Sequence, residues 1–194
     1  TVPDEKNKRF DIEVVTGASA AQIAAADKGT VQDGNMVYTL NGRTYRSPIK
    51  TLRGDFRDAD GNTGNRLRRW EKDEFHPQPD DIFQERLYAI QWITKKSINA
   101  SRQITYFSTV TEADLARERQ VEKLVSENLT QWQAEGLAPD MAVEPGSETT
   151  RLGRERGWTH WHHLFNARQL LLQAISIKTW RSSGSAPLGW INLA

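Results

Sequence analysis

Two dipeptides that favour tight hairpin turns, Asp33-Gly34 and Asn41-Gly42, lie in the segment GTVQDGNMVYTLNGRTYRSP, residues 29–48. Asp, Asn and above all Gly accept the positive backbone φ angles that two-residue hairpin loops require. Two such turns in succession restrict the segment to consecutive antiparallel strands. If Asn41-Gly42 forms a two-residue loop, Tyr38 faces Tyr45 across the ladder. The sequence therefore predicts a three-stranded β-meander over roughly residues 29–48.

Three further segments have a clear secondary-structure pattern. Residues 86–93 and 102–110 are rich in aromatic and β-branched side chains, which favours two long antiparallel strands. Residues 111–135 carry an apolar stripe at helical spacing behind a Thr111 and Asp114 pair that resembles a capping box. We expect this amphipathic helix to pack one face on the sheet. The predicted class is α+β, an antiparallel sheet covered by helices.

The C-terminal part begins with residues 137–157, whose Pro, Gly and mixed charges predict a linker. A Trp- and His-rich approach then leads into a helix predicted over 167–180, with Asn166 as its N-cap and Gln169 in position to complete a capping box. The predicted organisation is a module at 1–136 with a basic loop at 51–81, the linker, an aromatic-capped helix at 158–181 and an irregular tail at 182–194.

Composition excludes several classes of protein. The 26 Lys and Arg side chains nearly balance the 25 Asp and Glu side chains, so the whole chain has no global attraction for an anionic partner. There is no Cys, which excludes disulfides, thiol nucleophiles and Cys-ligated zinc. No run of apolar residues is long enough to cross a membrane. We expect a cytoplasmic protein without membrane contact, and the polar start without Met suggests a part of a longer protein.

One local charge imbalance stands out, in residues 43–72. Nine basic side chains face four acidic ones there, and the run RLRRW at 66–70 places a Trp beside three guanidinium groups. This combination suits phosphate contact together with stacking on a base or sugar. A solvated loop with stabilising ion pairs is the alternative. The candidate DNA contacts are Arg66, Arg68, Arg69 and Trp70, followed by Arg43, Arg46 and Arg53.

Two motifs resemble metal sites without meeting their requirements. His160, His162 and His163 could ligate zinc, but in an extended segment the first two point away from the third, and no carboxylate lies within the cluster. A plug of aromatic side chains beside the last helix is the competing interpretation. DADGNTG at 58–64 begins like a calcium loop but lacks the Gly and the Glu that such a loop requires. We expect no bound metal at either place.

Motifs of a self-contained active site are missing from the sequence. It has no Gly-rich phosphate or dinucleotide loop and no nucleophile elbow of the G-x-S-x-G type. No pair of carboxylates stands apart as an acid/base set. We therefore predict no catalytic and no cofactor-binding residue in this chain.

YFSTVTEADLARERQVEKLV at 106–125 and RGWTHWHHLFNARQLLL at 156–172 resemble the large bacterial adenine-specific DNA methylases that carry the DUF1156 region and often a zinc ribbon. The segment GTVQDGNMVYTLNGRTYRSPI is similar to theirs as well. The resemblance runs through most of residues 9–177. The order of a Trp, then Leu-Phe, then Arg-Gln-Leu-Leu is its most specific part.

The resemblance implies a parent enzyme that transfers a methyl group from S-adenosylmethionine to the N6 amine of adenine in DNA, in restriction-modification or phage defence. The family's cofactor motif lies upstream of this region and its catalytic motif downstream, so the chain by itself is expected to be inactive. Its partners would be DNA, the remainder of the methylase catalytic domain and companion defence proteins. Residues 158–181 would belong to the core of that catalytic domain. Where the family's ribbon has Cys pairs, Tyr38 and Tyr45 would hold the meander by packing.

A second function class stays open beside a DNA-contacting insertion. The chain could be a structural or partner-docking domain of a defence complex that never touches nucleic acid. Apolar side chains at 170–180 would then cover the methylase core or, in the isolated chain, a second copy of the same helix.

Overall fold

The computed structural model describes residues 2–4 and 9–183. It has an α+β fold of helices and antiparallel strands, as predicted. The chain divides into two compact units. Of the described residues, unit 1 comprises 2–4, 9–66 and 85–115, and unit 2 comprises 67–84 and 116–183. The predicted irregular tail lies, from residue 184 onward, outside the described residues.

Unit 1 contains all the strands found within the described ranges. In chain order its elements are β1 Val2–Asp4, β2 Arg9–Asp11, α1 Ala20–Asp27, β3 Val31–Gln32, β4 Asn35–Leu40, β5 Arg43–Pro48, α2 Ile49–Arg53, β6 Phe56–Arg57, β7 Thr63–Gly64, β8 Ala89–Ile93 and β9 Thr105–Thr109. Helix α3 Glu112–Ala134 begins in unit 1 and continues into unit 2, whose further helices are α4 Thr149–Arg156 and α5 Ala167–Ser182.

The predicted meander is confirmed with its register. Strands β3, β4 and β5 form a three-stranded antiparallel sheet in which Tyr38 pairs with Tyr45. The two rings are stacked, with centroids 5.1 Å apart and planes 12° from parallel. Asn41 and Gly42 have φ angles of 50° and 74°, the left-handed values that a two-residue loop of this kind requires.

The two long strands predicted over 86–93 and 102–110 are present as the shorter pair β8 and β9. The last residue pair of their ladder is Ile93 with Thr105, and the residues between these two form a compact tip. Hydrogen bonding among the described residues produces four separate small antiparallel sheets, and β8 with β9 is one of them. The strands therefore do not form the single sheet that we expected.

Helix α3 matches the helix predicted over 111–135, and the Thr111 and Asp114 pair caps it. The Asp114 carboxylate accepts from the Thr111 N–H at 2.9 Å, and the Thr111 hydroxyl accepts from the Asp114 N–H at 3.3 Å. We expected the apolar face of α3 to pack on the sheet, and this prediction is wrong, because the buried side chains of α3 contact other residues. Val125 and Leu129 belong to a core that includes Phe75, Ala138, Ala167 and Leu170, all within unit 2.

Helix α5 starts as the sequence predicted and ends at Ser182, two residues later than expected. Asn166 accepts from the Gln169 N–H, and the Gln169 side chain accepts from the Asn166 N–H, both at 3.0 Å. Leu170 is fully buried on this helix, whereas Leu172 is exposed. The segment 137–157, predicted as a linker, contains α4.

Candidate functional site

The seven candidate DNA contacts are divided between the two units. The boundary falls between Arg66 and Leu67, so that the run RLRRW is itself split. Arg43, Arg46, Arg53 and Arg66 belong to unit 1, and Arg68, Arg69 and Trp70 belong to unit 2.

Arg68 is engaged by two carboxylates of its own unit. Its Nε and Nη2 atoms donate to the Asp81 carboxylate at 3.0 and 2.6 Å, and its Nη1 donates to Glu74 Oε2 at 2.6 Å. The bidentate pair with Arg68 lowers the pKa of Asp81 below its ordinary value. A guanidinium group held between two carboxylates has lost its net attraction for a phosphate. This is the ion-paired loop that the sequence left open as an alternative.

Trp70 is buried, with 7% of its surface exposed. Its ring is in a T-shaped arrangement with the ring of Trp158, at a centroid distance of 6.3 Å, and the centre of the His163 ring lies 5.2 Å away. Its backbone is also tied down, since the Trp70 N–H donates to the Gly157 carbonyl at 2.9 Å and the Thr159 hydroxyl donates to the Trp70 carbonyl at 2.7 Å. Trp70 is therefore a core residue of unit 2 and does not offer a face for a base to stack on.

Arg69 is exposed but also bound within unit 2, because its Nη1 atom donates to the Gly153 carbonyl. Residues 68–70 thus connect the turn at 71–81 with the segment 153–163 through side-chain and backbone bonds. We call residues 68–70 the staple segment.

Gly157 is required at the place where the staple segment meets the end of α4. Its φ of 80° is left-handed, and a β-carbon on it would collide with the Arg68 carbonyl, which is backbone and cannot rotate away. We expect Gly157→Ala to lower the free energy of unfolding of unit 2 by about 2 kcal/mol or more. Urea denaturation followed by circular dichroism measures this, with Gly17→Ala as the control. Gly17 also has a positive φ but nothing within 4 Å of its added β-carbon, so a loss as large in the control would contradict the collision.

His162 and His163 are buried and use both ring nitrogens in hydrogen bonds. His162 Nε2 lies 3.0 Å from the Glu74 carbonyl, and its Nδ1 lies 3.3 Å from the Gln133 amide nitrogen. His163 Nε2 lies 3.1 Å from the Glu71 carbonyl, and its Nδ1 accepts from the Thr159 N–H at 3.1 Å. These partners define neutral rings that carry their proton on Nε2.

Burial lowers the pKa of both histidines, that of His163 to about 4. Desolvation of the charged form is the main cause in each case, and the neighbouring imidazoles add repulsion. The two rings hold backbone carbonyls of the turn at 71–81 in place. Their role in the described structure is to build unit 2, as the competing plug interpretation had it.

No group of three or more His, Asp or Glu side chains that could hold a metal ion occurs among the residues that the structure describes. In the calcium-like loop the Asp58 carboxylate accepts from the backbone N–H groups of Asp60 and Asn62 at 3.1 and 2.8 Å. The loop is thus folded around that side chain as a polar turn.

The candidate arginines of unit 1 have different surroundings. Arg43 and Arg46 are exposed on β5, and the described residues include no ion-pair partner for either. The guanidinium group of Arg43 lies 5.3 Å from the centre of the Tyr45 ring, on the face of the sheet where Tyr38 and Tyr45 stack. Side chains alternate along a strand, so Arg46 lies on the opposite face of the sheet. Arg53 is neutralised by a bidentate pair with Asp55.

Arg66 is exposed, and its stem packs against Gly54, where an added β-carbon would lie 3.0 Å from it. Its N–H donates to the Arg53 carbonyl at 3.0 Å, which ties the end of the basic loop to α2. The segment from Gly34 to Gly54, which spans β4, β5 and α2, contains four basic residues and no acidic one. Since Asp55 neutralises Arg53, the exposed Arg43, Arg46 and Lys50 make this segment a local cationic surface in a chain whose total charge is nearly balanced.

Sequence reasoning missed a second cationic region, at residues 86–111. It contains four basic residues and no Asp or Glu, and it includes the whole of β8 and β9. The signal for this region is present in the sequence as a stretch without any Asp or Glu.

Comparisons of the chain with protein-family models, curated proteins and solved structures give no match. Among the described residues, no helix has the length and apolar character that a membrane crossing demands.

Proposed function

We propose that this chain is a DNA-contacting part of an S-adenosylmethionine-dependent DNA adenine-N6 methyltransferase, and that residues 34–54 carry one of its DNA contacts. The observation that supports this is the exposure of Arg43 and Arg46 in a segment that has no acidic side chain. An exposed guanidinium group that meets a phosphate displaces counterions from the DNA, which favours binding. Because Arg43 and Arg46 lie on opposite faces of β5, a duplex that docks on the face of Tyr38 and Tyr45 would be contacted by Arg43.

The DNA contact is expected on unit 1 and not on the staple segment. The charge of Arg68 is neutralised by two carboxylates of unit 2, and the ring of Trp70 is buried within that unit. Arg43 adds an aromatic platform to its charge through the stack of Tyr38 and Tyr45, a combination that suits contact with the sugar–phosphate backbone.

The assignment to a methyltransferase is supported by the resemblance at residues 106–125 and 156–172. The parent protein would supply the S-adenosylmethionine site and the catalytic residues, as well as contacts with companion proteins in restriction or phage defence. The chain studied alone would bind DNA without methylating it. A docking domain that never touches nucleic acid remains the rival, and a DNA titration separates the two.

The test is a fluorescence anisotropy titration of a labelled DNA duplex at several salt concentrations. We expect Arg43→Ala/Arg46→Ala to weaken binding about fivefold to tenfold and to reduce the slope of log affinity against log salt by about 1 or more, because each phosphate contact contributes roughly 0.9. The double variant should keep its thermal stability, since both side chains are exposed.

Arg119→Ala/Arg151→Ala is the matched control, because it removes the same charge from exposed helical positions of unit 2. It should retain the affinity and salt slope of the wild type. Equal loss in both double variants would indicate a nonspecific charge effect and would count against residues 34–54. Absence of duplex binding by the wild-type chain would remove the DNA-contacting function altogether and favour the docking domain.

A further inference from the structure

Strands β8 and β9 form a two-stranded ribbon that pairs with no other strand of the described residues. Five residue pairs join them, from Ala89 with Thr109 to Ile93 with Thr105. At about 3.4 Å per residue the paired part is about 17 Å long. Side chains on both faces of the ribbon are exposed, since Trp92 and Tyr106 lie on one face and Phe107 on the other. A ribbon exposed on both faces is an element with surface still available for contact.

The tip of the ribbon is closed by several hydrogen bonds. Residues Lys95–Ser97 form a 3₁₀ turn, and the buried Ser97 hydroxyl accepts from the Ile104 N–H at 2.9 Å. The same hydroxyl lies 2.7 Å from the Thr94 hydroxyl, and the Gln103 amide donates to the Ile98 carbonyl at 3.2 Å. An ordered tip loses little conformational freedom when it binds, which lowers the cost of association.

The charge of the tip has one sign. Lys95, Lys96 and Arg102 are exposed, and the described residues include no ion pair for any of them. No acidic residue occurs from Arg86 to Thr111. A protein partner of ordinary mixed charge would not require this exclusion of carboxylates. A polyanion explains it, because every carboxylate near the phosphates would oppose binding.

We infer that the β8–β9 ribbon inserts its Lys95, Lys96 and Arg102 tip into the major groove of double-stranded DNA. The inference rests on the proposed function, since it adds a second contact with the same ligand. Neighbouring strands are about 4.8 Å apart, and side chains bring such a ribbon to roughly the 12 Å width of the B-DNA major groove. The minor groove is about half as wide, and the major groove of an RNA duplex is too narrow for side chains to enter.

The ribbon also has side chains that could contact bases. Ile98 at the tip is exposed and apolar, which suits the methyl group of thymine. Trp92 is oriented by the bond from its Nε1 to the Ser108 hydroxyl at 2.8 Å, so its ring is held against the ribbon. Lys95 and Lys96 on their ordered turn supply donors for phosphates or for guanine acceptors. The tip therefore provides charge and shape together.

The experiment measures binding of labelled duplex DNA by the wild type and by Lys95→Ala/Lys96→Ala/Arg102→Ala. We expect the triple variant to bind at least tenfold more weakly and to lose about 2 to 3 from its salt slope. Lys123→Ala/Lys178→Ala/Arg119→Ala removes the same charge from exposed positions of unit 2 and should bind as the wild type does. Unchanged thermal unfolding of the triple variant verifies its fold.

Two further measurements locate the groove. Methyl green, which occupies the major groove, should compete with the wild-type chain, whereas the minor-groove ligand distamycin should not. A duplex RNA of the same sequence should bind more weakly than the DNA. Competition by distamycin alone, or equal affinity for duplex RNA, would overturn the insertion of the ribbon into the major groove.

The outcomes also separate this inference from the proposed function. A triple variant that binds like the wild type, while Arg43→Ala/Arg46→Ala is weakened, overturns the ribbon contact and leaves residues 34–54 in place. The reverse result supports the ribbon and removes residues 34–54. If the wild type binds no duplex, both contacts fail and the ribbon belongs to a docking domain.

Discussion

Replacing Trp70 with Ala is expected to lower the free energy of unfolding of unit 2 by about 3 to 5 kcal/mol, the usual cost of removing a buried Trp. The side chain is 7% exposed and contacts the rings of Trp158 and His163. Its removal leaves a cavity between the staple segment and the approach to α5, and the backbone bonds around it limit how far the chain can close that space. Urea denaturation followed by circular dichroism measures the loss.

Trp92→Ala is the matched control for this prediction. It makes the same chemical change in unit 1, at a ring that is 45% exposed on the ribbon, so we expect a cost below about 1 kcal/mol. DNA binding provides a second measurement on folded Trp70→Ala protein. If that variant were as stable as the wild type but bound DNA more weakly, Trp70 would be the stacking residue that the sequence suggested. The assignment of residues 68–70 to the core of unit 2 would then be wrong.

Unit 2 is expected to lose up to about 3 kcal/mol of stability between about pH 6.5 and pH 4 because of His162 and His163. Both pKa values are lower in the folded protein than their ordinary value of 6.5, that of His163 reaching about 4. Below pH 6.5 the unfolded chain therefore binds more protons at these two histidines than the folded chain does. The stabilisation is complete above pH 6.5 and is lost as the pH falls towards the folded pKa.

Denaturation at a series of pH values tests this prediction. The pKa values of Glu74 and Asp81 are also lowered, from ordinary values of 4.5 and 3.8, so their contributions are lost only near and below pH 4.5 and do not account for the change between pH 6.5 and 4.5. His163→Gln should be less stable at neutral pH but should show a smaller pH dependence in that window. His76→Gln, which removes an exposed histidine of the same unit, is the control substitution. Stability that stays constant from pH 7 to pH 4 would contradict the neutral buried pair.

Local signals in the sequence predicted the elements that depend on near neighbours. The register of Tyr38 with Tyr45 follows from the Asn41-Gly42 turn, and the starts of α3 and α5 follow from capping pairs three residues apart. The α+β class follows from these elements together. Each of these predictions required knowledge of only a few adjacent residues.

The surroundings of the staple segment depend on residues far away in the chain. Trp70 meets Gly157 and Trp158, and nothing in RLRRW distinguishes a buried Trp from an exposed one. The histidines bind the backbone carbonyls of Glu71 and Glu74, and a backbone acceptor leaves no trace in the residue type. The packing of α3 was missed for the same reason, because its apolar stripe fits a helix partner as well as a sheet.

We propose that unit 1 contacts DNA through residues 34–54 and the β8–β9 ribbon, while residues 68–70 hold unit 2 together. Hydrogen–deuterium exchange of the chain with and without duplex DNA tests it most directly. We predict that DNA slows exchange in peptides covering residues 43–50 and 94–104 and leaves residues 67–84 and 158–174 unchanged. Protection confined to residues 67–84, with none in the ribbon or the meander, would contradict contact of DNA with unit 1.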